Sequence, residues 1–434
     1  MLNVLGIIIL LVLIGLSIGL HEIGHLLPAK KFGVKVIDYA IGFGPTVFKR
    51  KRGETEYHLK LIPLGGYIRM IGMYPPAKAD KPARAGRFAD LIEQARQTSA
   101  EEVLPGEESR TFYRLPVRKR LVIMLGGPLM NLGLAAILFA IVLSVIGVTV
   151  ASNSIGRLIP CVPTQSDPSG AGSIAGCGDA PVSPAVAAGL KVGDTIVSID
   201  GVATPTYADV AANLRTHKIG DEISLNVENA AGNRTVNVVM ADAVVEQFDQ
   251  QGNPLGTFEH RPLVGFVPAA KLEPLAMSEV PGLMWDMTVM SVKALMTFPQ
   301  KLYQLGQNLV TGQERDPNGP ISVVGVSRLS GEVVASDLEW QMKAQEILGM
   351  AASLNLFLFL FNLVPLLPLD GGHVAAGIVE GVRARWARLR KKPDPGPIDV
   401  ARALPLTYFF SAILLFSGVL VIVADLVAPI SLGY

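Results

Sequence analysis

Four apolar runs divide the chain, at 2–20, 121–150, 347–369 and 404–427. Each is long enough to cross about 30 Å of hydrocarbon as a helix. The pattern predicts membrane helices at 1–27, 121–150, 345–369 and 404–428, joined by polar segments at 28–120, 151–344 and 370–403. The first run passes directly into IGLHEIGHLL, with no basic stretch before it and no small-residue cleavage site after it. It is therefore expected to be a retained membrane helix and not a signal peptide.

The polar segments carry shorter patterns. Residues 57–73, YHLKLIPLGGYIRMIGM, alternate apolar and polar side chains around Pro-Leu-Gly-Gly and predict a β-hairpin or bent strand pair. This stretch is more apolar than a solvated loop, so it is expected to dip into the membrane face; the alternative is an amphipathic hairpin on the surface. Residues 77–110 read as partly helical or flexible. Within 183–204 a short helix ends at Ala188-Gly189, a turn follows at 191–194, then a strand at 195–199. Further strands are predicted at 222–227 and 235–239 around a turn at 230–233. The string AGLKVGD…DG resembles bacterial PDZ domains, which bind extended peptides at a sheet edge. A small packing domain is the other reading. These strands define an inserted domain at 151–245, followed by a membrane-proximal region at 246–344. Within that region, 281–311 has helical apolar spacing broken by Lys and Gln, which fits a membrane-surface helix, with Pro299 expected to break or kink it.

Composition narrows the class. Of 434 residues, 50% are hydrophobic and 17% charged, as in integral membrane proteins. A net charge of +1 excludes a large basic face, so nucleic acid is not an expected partner. The basic residues are uneven. Lys30, Lys31, Lys35 and Lys49–Arg52 follow the first run, Arg114 and Arg118–Arg120 precede the second, and Arg383–Lys392 lie between the third and fourth. By the positive-inside rule, 28–120 and 370–403 face the cytoplasm and the middle region faces out. Cys161 and Cys177 then lie in an oxidising compartment, where a disulfide is plausible; two free thiols remain the alternative.

Two histidines and a glutamate inside a lipid-crossing run demand an explanation, since charge at the centre of a membrane helix costs about 2.5–3.5 kcal/mol. On a helix, His21 and His25 lie one turn apart on one face and can share a Zn²⁺, while Glu22 stays free to act as a base toward water. With six histidines in the chain, chance matches to HExxH number on the order of 0.004. A catalytic zinc needs a third protein ligand. Asp370, in FNLVPLLPLDGGH at the cytoplasmic end of the third run, is the candidate, with an N-cap role as its alternative. His373 is expected to support the site or to pack; His58, His217 and His260 receive no role.

HExxH in the first helix with Asn-x-x-Pro-x-x-x-Leu-Asp-Gly in a late one resembles the site-2 protease family of intramembrane zinc metalloproteases. GFGP, IPLGGY, GGPLMN and GPISVVGVSRLSG are similar to its RseP-type branch, most of all to actinobacterial members with a single PDZ signature. The resemblance implies a four-helix membrane protein of the plasma or inner membrane, with a membrane-associated β-hairpin and an inserted extracytoplasmic PDZ domain. It implies Zn²⁺ on His21, His25 and Asp370, with Glu22 as general base, facing the cytoplasm. It implies that Asn362 and Pro365, with Gly65 and Gly66 of the hairpin, bind an unwound substrate helix. Helix–helix glue is the other reading of Asn362, and packing the favoured one for Asn131. The implied substrates are single-span membrane proteins, typically anti-sigma factors, already trimmed outside by another protease. A membrane-anchored PDZ scaffold or chaperone with a non-catalytic metal site is the alternative function; the intact Glu22 speaks against it. A metal transporter would need ligands spread across the bilayer.

Overall fold

The computed structural model describes residues 2–76, 88–165, 177, 180–248, 254–313, 315–393 and 395–430. Residues 77–87 of the stretch read as partly helical lie outside that description. In chain order the elements are α1 (Leu2–Lys31), β1 (Val36–Arg52), β2 (Thr55–Met70), α2 (Ala89–Glu101) and α3 (Val117–Ala140, prolonged by a π turn at Ile141–Ile146). Then come β3 (Val148–Leu158), α4 (Pro184–Ala187), β4 (Thr195–Ile199), β5 (Val202–Ala203), α5 (Tyr207–Leu214), β6 (Glu222–Asn229) and β7 (Gly232–Val239). They are followed by β8 (Ala241–Phe248), β9 (Pro254–Leu263), β10 (Phe266–Glu273), α6 (Val280–Thr311), α7 (Val323–Ala335), α8 (Trp340–Asn362), α9 (Asp370–Leu389) and α10 (Leu404–Val427). Two compact units result: Met1–Ile146 with Leu275–Tyr434, and Gly147–Pro274.

In the first unit, four helices are long and apolar enough to cross a membrane: Leu2–Lys31, Val117–Ile146, Trp340–Asn362 and Val400–Val427. The chain is a multi-pass membrane protein. α1 packs on α3, α7 and α8 through small residues. A Cβ on Gly24 would lie 2.2 Å from the Gly126 carbonyl oxygen, and one on Gly6 would lie 2.4 Å from that of Ser330. Glycine is therefore required at these crossings, where the backbones themselves touch. Polar side chains tie the same helices: Ser330 Oγ donates to the Gly6 carbonyl (3.0 Å), and Asn355 Nδ2 donates to Ser17 Oγ (2.9 Å). Such bonds average about 0.6 kcal/mol in membrane bundles, so they orient helices more than they hold them together.

The strands within 28–120 reach beyond the expected 57–73. Residues 57–70 belong to one bent strand, β2, and the hairpin turn lies earlier, between Arg52 and Thr55. Its partner, β1, runs through Gly42 and Gly44, whose positive φ values (89° and 82°) absorb bends in the strand. Tyr39 stands opposite both Tyr57 and Ile68, because β2 turns back at Gly65 (φ 90°) and meets β1 twice. α6 continues through Pro299. The missing N–H of Pro299 leaves the Leu295 carbonyl without its helical partner, yet the helix runs on to Thr311.

The second unit extends past the expected 151–245, and it begins at Gly147, inside the run read as 121–150. β10 returns to pair antiparallel with β3, giving the order β10-β3-β4-β6-β7 with β5 on β4, while β8 and β9 form a separate hairpin. Hence 246–274 belongs to this unit and not to a membrane-proximal region. Alternate residues of β6 (Ile223, Leu225, Val227) face a core with Ile155, Ile196, Ile199 and Val210. Asp194 is buried beneath it. Burial opposes its charge, but Asn229 Nδ2 (2.7 Å), the Lys191 N–H (2.9 Å) and Arg234 Nη2 (2.5 Å) outweigh that and hold its carboxyl below the usual carboxylate range. A disulfide joins Cys161 and Cys177, with Cα atoms 5.6 Å apart.

Candidate metal centre

α1 carries His21 and His25 one turn apart; the N-terminus of α9 carries Asp370. The fold brings them together. His21 Nε2 lies 3.2 Å from His25 Nε2 and 3.2 Å from Asp370 Oδ2, and His25 Nε2 lies 3.3 Å from Asp370 Oδ2. His25 Nδ1 donates to the Ile123 carbonyl oxygen of α3 at 2.7 Å. That bond places the ring proton on Nδ1, so Nε2 presents a lone pair toward the other two residues. Three acceptors thus converge in an apolar bundle. Asp370 Oδ2 and His21 Nδ1 are buried without a hydrogen-bond partner among the described residues.

This is a costly arrangement unless a cation lies among the three atoms. The donor set is two imidazoles and one carboxylate, which suits zinc and leaves a fourth position open. A tetrahedral ion with bonds of about 2.0–2.2 Å separates its ligand atoms by about 3.3–3.6 Å, close to the observed triangle. The residues present fit the ion.

Local sequence explains how Asp370 gets there. Leu369, not Asp370, occupies the N-cap of α9, so the aspartate is the first helical residue and its side chain is free to face α1. The two glycines that follow let α9 begin against its own approach loop. A Cβ on Gly371 would fall 2.3 Å from the Val364 carbonyl oxygen, and one on Gly372 would fall 2.6 Å from the Leu367 amide. Asn362 ends α8, and exposed Pro365 lies in the loop leading to Asp370. His373, one turn into α9, lines a small cavity with Arg120, Met124 and Glu380.

Glu22 is 7% exposed. Its Cγ lies 2.9 Å from where a Cβ on Gly66 would be, so the strand end at Gly66 rests directly on the glutamate stem. Gly66 pairs with Ile41. Tyr39 Oη donates to the Gly19 carbonyl at 2.7 Å, fixing the sheet to α1 one turn before Glu22.

Two wall residues had gone unassigned. A Cβ on Gly127 would lie 2.2 Å from His25 Nε2 and 2.8 Å from His21 Cε1, so this glycine forms one side of the centre. The signal was in GGPLMN, but the two glycines do different jobs: Gly126 admits the α1 backbone, and Gly127 admits the imidazoles. The Ile123 carbonyl has no sequence signal at all. Asn131 is 1% exposed with neither Nδ2 nor Oδ1 hydrogen-bonded among the described residues, so it does not join helices through hydrogen bonds. Asn355, absent from the sequence reading, makes the interhelical bond instead.

Comparison with known proteins agrees over most of the chain. Residues 9–393 match the description Peptidase family M50. Zinc metalloprotease Rip1 of Mycobacterium tuberculosis is 32% identical over 444 residues, covering 100% of both chains. Zinc metalloprotease RasP of Geobacillus kaustophilus is 28% identical, covering 88% of this chain and 90% of its own. A solved PDZ domain, of the SdrC-like protein from Listeria monocytogenes, matches with 18% identity and a TM-score of 0.15, covering 26% of this chain and 90% of that one. That likeness carries no argument about the second unit. The extent of the first matches does carry one: this chain belongs to peptidase family M50, the site-2 protease family.

Proposed function

We propose that this zinc metalloprotease hydrolyses peptide bonds inside the membrane-spanning helices of other proteins. The observation that carries the reading is the triangle of acceptors, 3.2–3.3 Å on a side, within a bundle of membrane-length helices. His21, His25 and Asp370 would hold the zinc. When bound, zinc supplies Lewis acidity that polarises a carbonyl and acidifies water. Glu22, next to His21 but outside the ligand set, takes a proton from water and returns it to the leaving amine. His25 is held in the ligating tautomer by Ile123. Burial of Glu22 beneath Gly66 excludes bulk water from the base.

A helical substrate hides its peptide bonds in its own hydrogen bonds, so it must be unwound, and its freed groups need partners within the protein. The strand end at Gly65–Gly66 lies over Glu22 and is suited to pair with an extended segment; Asn362 and Pro365 flank the chain leading to Asp370 and are assigned to the same task. The charge pattern supports an active site toward the cytoplasm and a second unit, of PDZ type, outside. The substrates in this reading are single-span proteins of the anti-sigma-factor class, trimmed beforehand by another protease, with the outer unit acting on what remains.

The test is cleavage by the full chain, reconstituted in vesicles with a trimmed single-span substrate, and mass spectrometry of the products. Cuts within the span, lost with chelator and restored by zinc, are expected. Zinc bound without any cut, across several such substrates, would move the assignment to a membrane-anchored scaffold.

A further inference from the structure

α9 has two faces with different fates. One packs into the bundle. Its Gly377 and Gly381 lie against Val117 at the start of α3, Gly377 also against Leu121, and Glu380 pairs with Arg120. Glu380 Oε2 also accepts from the Ile398 amide at 2.8 Å, which returns the chain toward α10. The opposite face carries Ile378, Val379, Val382, Trp386 and Leu389, all between 51% and 77% exposed. At 3.6 residues per turn these five project within an arc of about 100°. Arg385 borders the arc on one side, Arg383 and Arg390 on the other, and Arg388 stands beyond Arg385. The Arg390 guanidinium lies 4.4 Å from the centre of the Trp386 ring.

The place of this helix in the chain decides what covers it. α8 and α10 both have membrane-crossing length, so the chain leaves the bilayer after Asn362 and re-enters near Leu404 on the same face. α3, on which α9 packs, begins at that face too. α9, 20 residues and about 30 Å long, runs antiparallel along the first turns of α3, Gly377 at Leu121 and Gly381 at Val117, so its C-terminal half, with Trp386 and the flanking guanidinium groups, reaches the level of the headgroups. Apolar residues at that level enter the acyl boundary, tryptophan favours the interface, and arginines pair with phosphate.

We infer that the outer face of α9 is turned to the bilayer and that its C-terminal half recognises anionic phospholipid headgroups through Arg383, Arg385 and Arg390. The inference rests on the membrane-spanning reading of α8 and α10, not on protease activity. Because Asp370 is the first residue of α9, the same seating fixes the depth of the third metal-site acceptor.

A nitroxide on Val382→Cys and another on Lys392→Cys, each in the full chain, report depth from collisions with oxygen and with a water-soluble nickel chelate. The vesicles are phosphatidylcholine alone or with about 30% phosphatidylglycerol, a moderately anionic surface. With phosphatidylglycerol, the Val382 label is expected to favour oxygen and the Lys392 label nickel. The ratio of lipid-seated to water-exposed states of the C-terminal half of α9 should fall about fivefold for each of Arg383→Gln, Arg385→Gln and Arg390→Gln, and toward the neutral-lipid value in about 1 M salt. Access of nickel to the Val382 label in both lipids would overturn the seating. An immobile label closed to both reagents would mean a protein partner or second copy covers the face, and would overturn it too. Equal depth in neutral and anionic vesicles would overturn headgroup recognition.

Discussion

Among the described residues, two groupings of histidine and carboxylate each bring their ligand atoms within 4.8 Å of one another: His21, His25 and Asp370 in the bundle, and Asp38, Glu56 and His58 on β1 and β2. Residue types are nearly the same; surroundings are opposite. On the strands, Arg69 lies 2.9 Å from Asp38 and Lys49 lies 2.7 Å from Glu56. His58 approaches both acids, at 3.5 and 3.7 Å. Each carboxylate there already faces a cation, and the group is a surface charge network of modest worth. In the bundle, no lysine or arginine pairs with Asp370 among the described residues. Three ligand atoms converge there, 3.2–3.3 Å apart. A metal centre is recognised less by its residue types than by acceptors left unanswered. Asp194 marks the far end of the same scale: a buried carboxylate fully answered by Asn229, Lys191 and Arg234.

The contrast can be broken from the bundle side first. Asp370→Asn removes one acceptor's charge, and zinc binding by the purified chain is expected to weaken more than the 10–100-fold typical of outer-shell changes (about 100-fold or beyond). Zinc retained at full occupancy after dialysis would remove Asp370 from the ligand set. Gly127→Ala tests the wall without replacing any of the three acceptors. Its Cβ would meet His25 Nε2, so zinc affinity should fall about 10–100-fold while the helical circular dichroism stays unchanged.

Asp194→Asn probes the answered carboxylate. Loss of its charge-assisted bonds should destabilise the second unit by about 1–3 kcal/mol, read from faster hydrogen exchange at 195–227 in the full chain. Because its folded pKa is lowered, the stability it adds is present above the unfolded value of about 3.9 and is lost as pH falls through the folded value. In the wild type, the exchange protection should therefore weaken with acid in that window and not above it. The smallest effect belongs to the strand cluster. Wild type and Arg69→Gln should both retain one tightly bound zinc per chain after dialysis from excess metal, and a second retained zinc in wild type would break the distinction drawn here.

Much of this architecture was legible from periodicity. The fourth apolar run, at 404–427, coincides with α10 (Leu404–Val427), and the strand expected at 195–199 with β4 (Thr195–Ile199). The turn types behind those readings are local chemistry, written in adjacent residues. What escaped was non-local or disguised. β1 received no element because its glycines and Pro45 interrupt any alternation of apolar and polar residues, although a strand tolerates them at bends. The return of β10 to β3 joins residues more than a hundred positions apart, which no periodicity encodes. At the metal centre, the spacing of HEIGH and the acidic end of the third run pointed to all three acceptors. The Ile123 carbonyl and the role of Gly127 depend on how α3 crosses α1, and the sequence does not state crossing angles. Asn355 went unread because a lone polar residue in an apolar run looks alike whether it faces a ligand or a helix.

The most direct test of the central claim compares wild type with Glu22→Gln in two readings on the same detergent-purified chain: zinc content, and cleavage of a trimmed single-span substrate. In the proposed mechanism Glu22 lies beside the zinc-holding residues without belonging to them. Zinc should therefore stay at one per chain in both, while cleavage falls by about 10²–10⁴-fold or more in the variant. Cleavage at the wild-type rate by Glu22→Gln, with zinc in place, would contradict the assignment of this residue as the base and with it the mechanism built around α1.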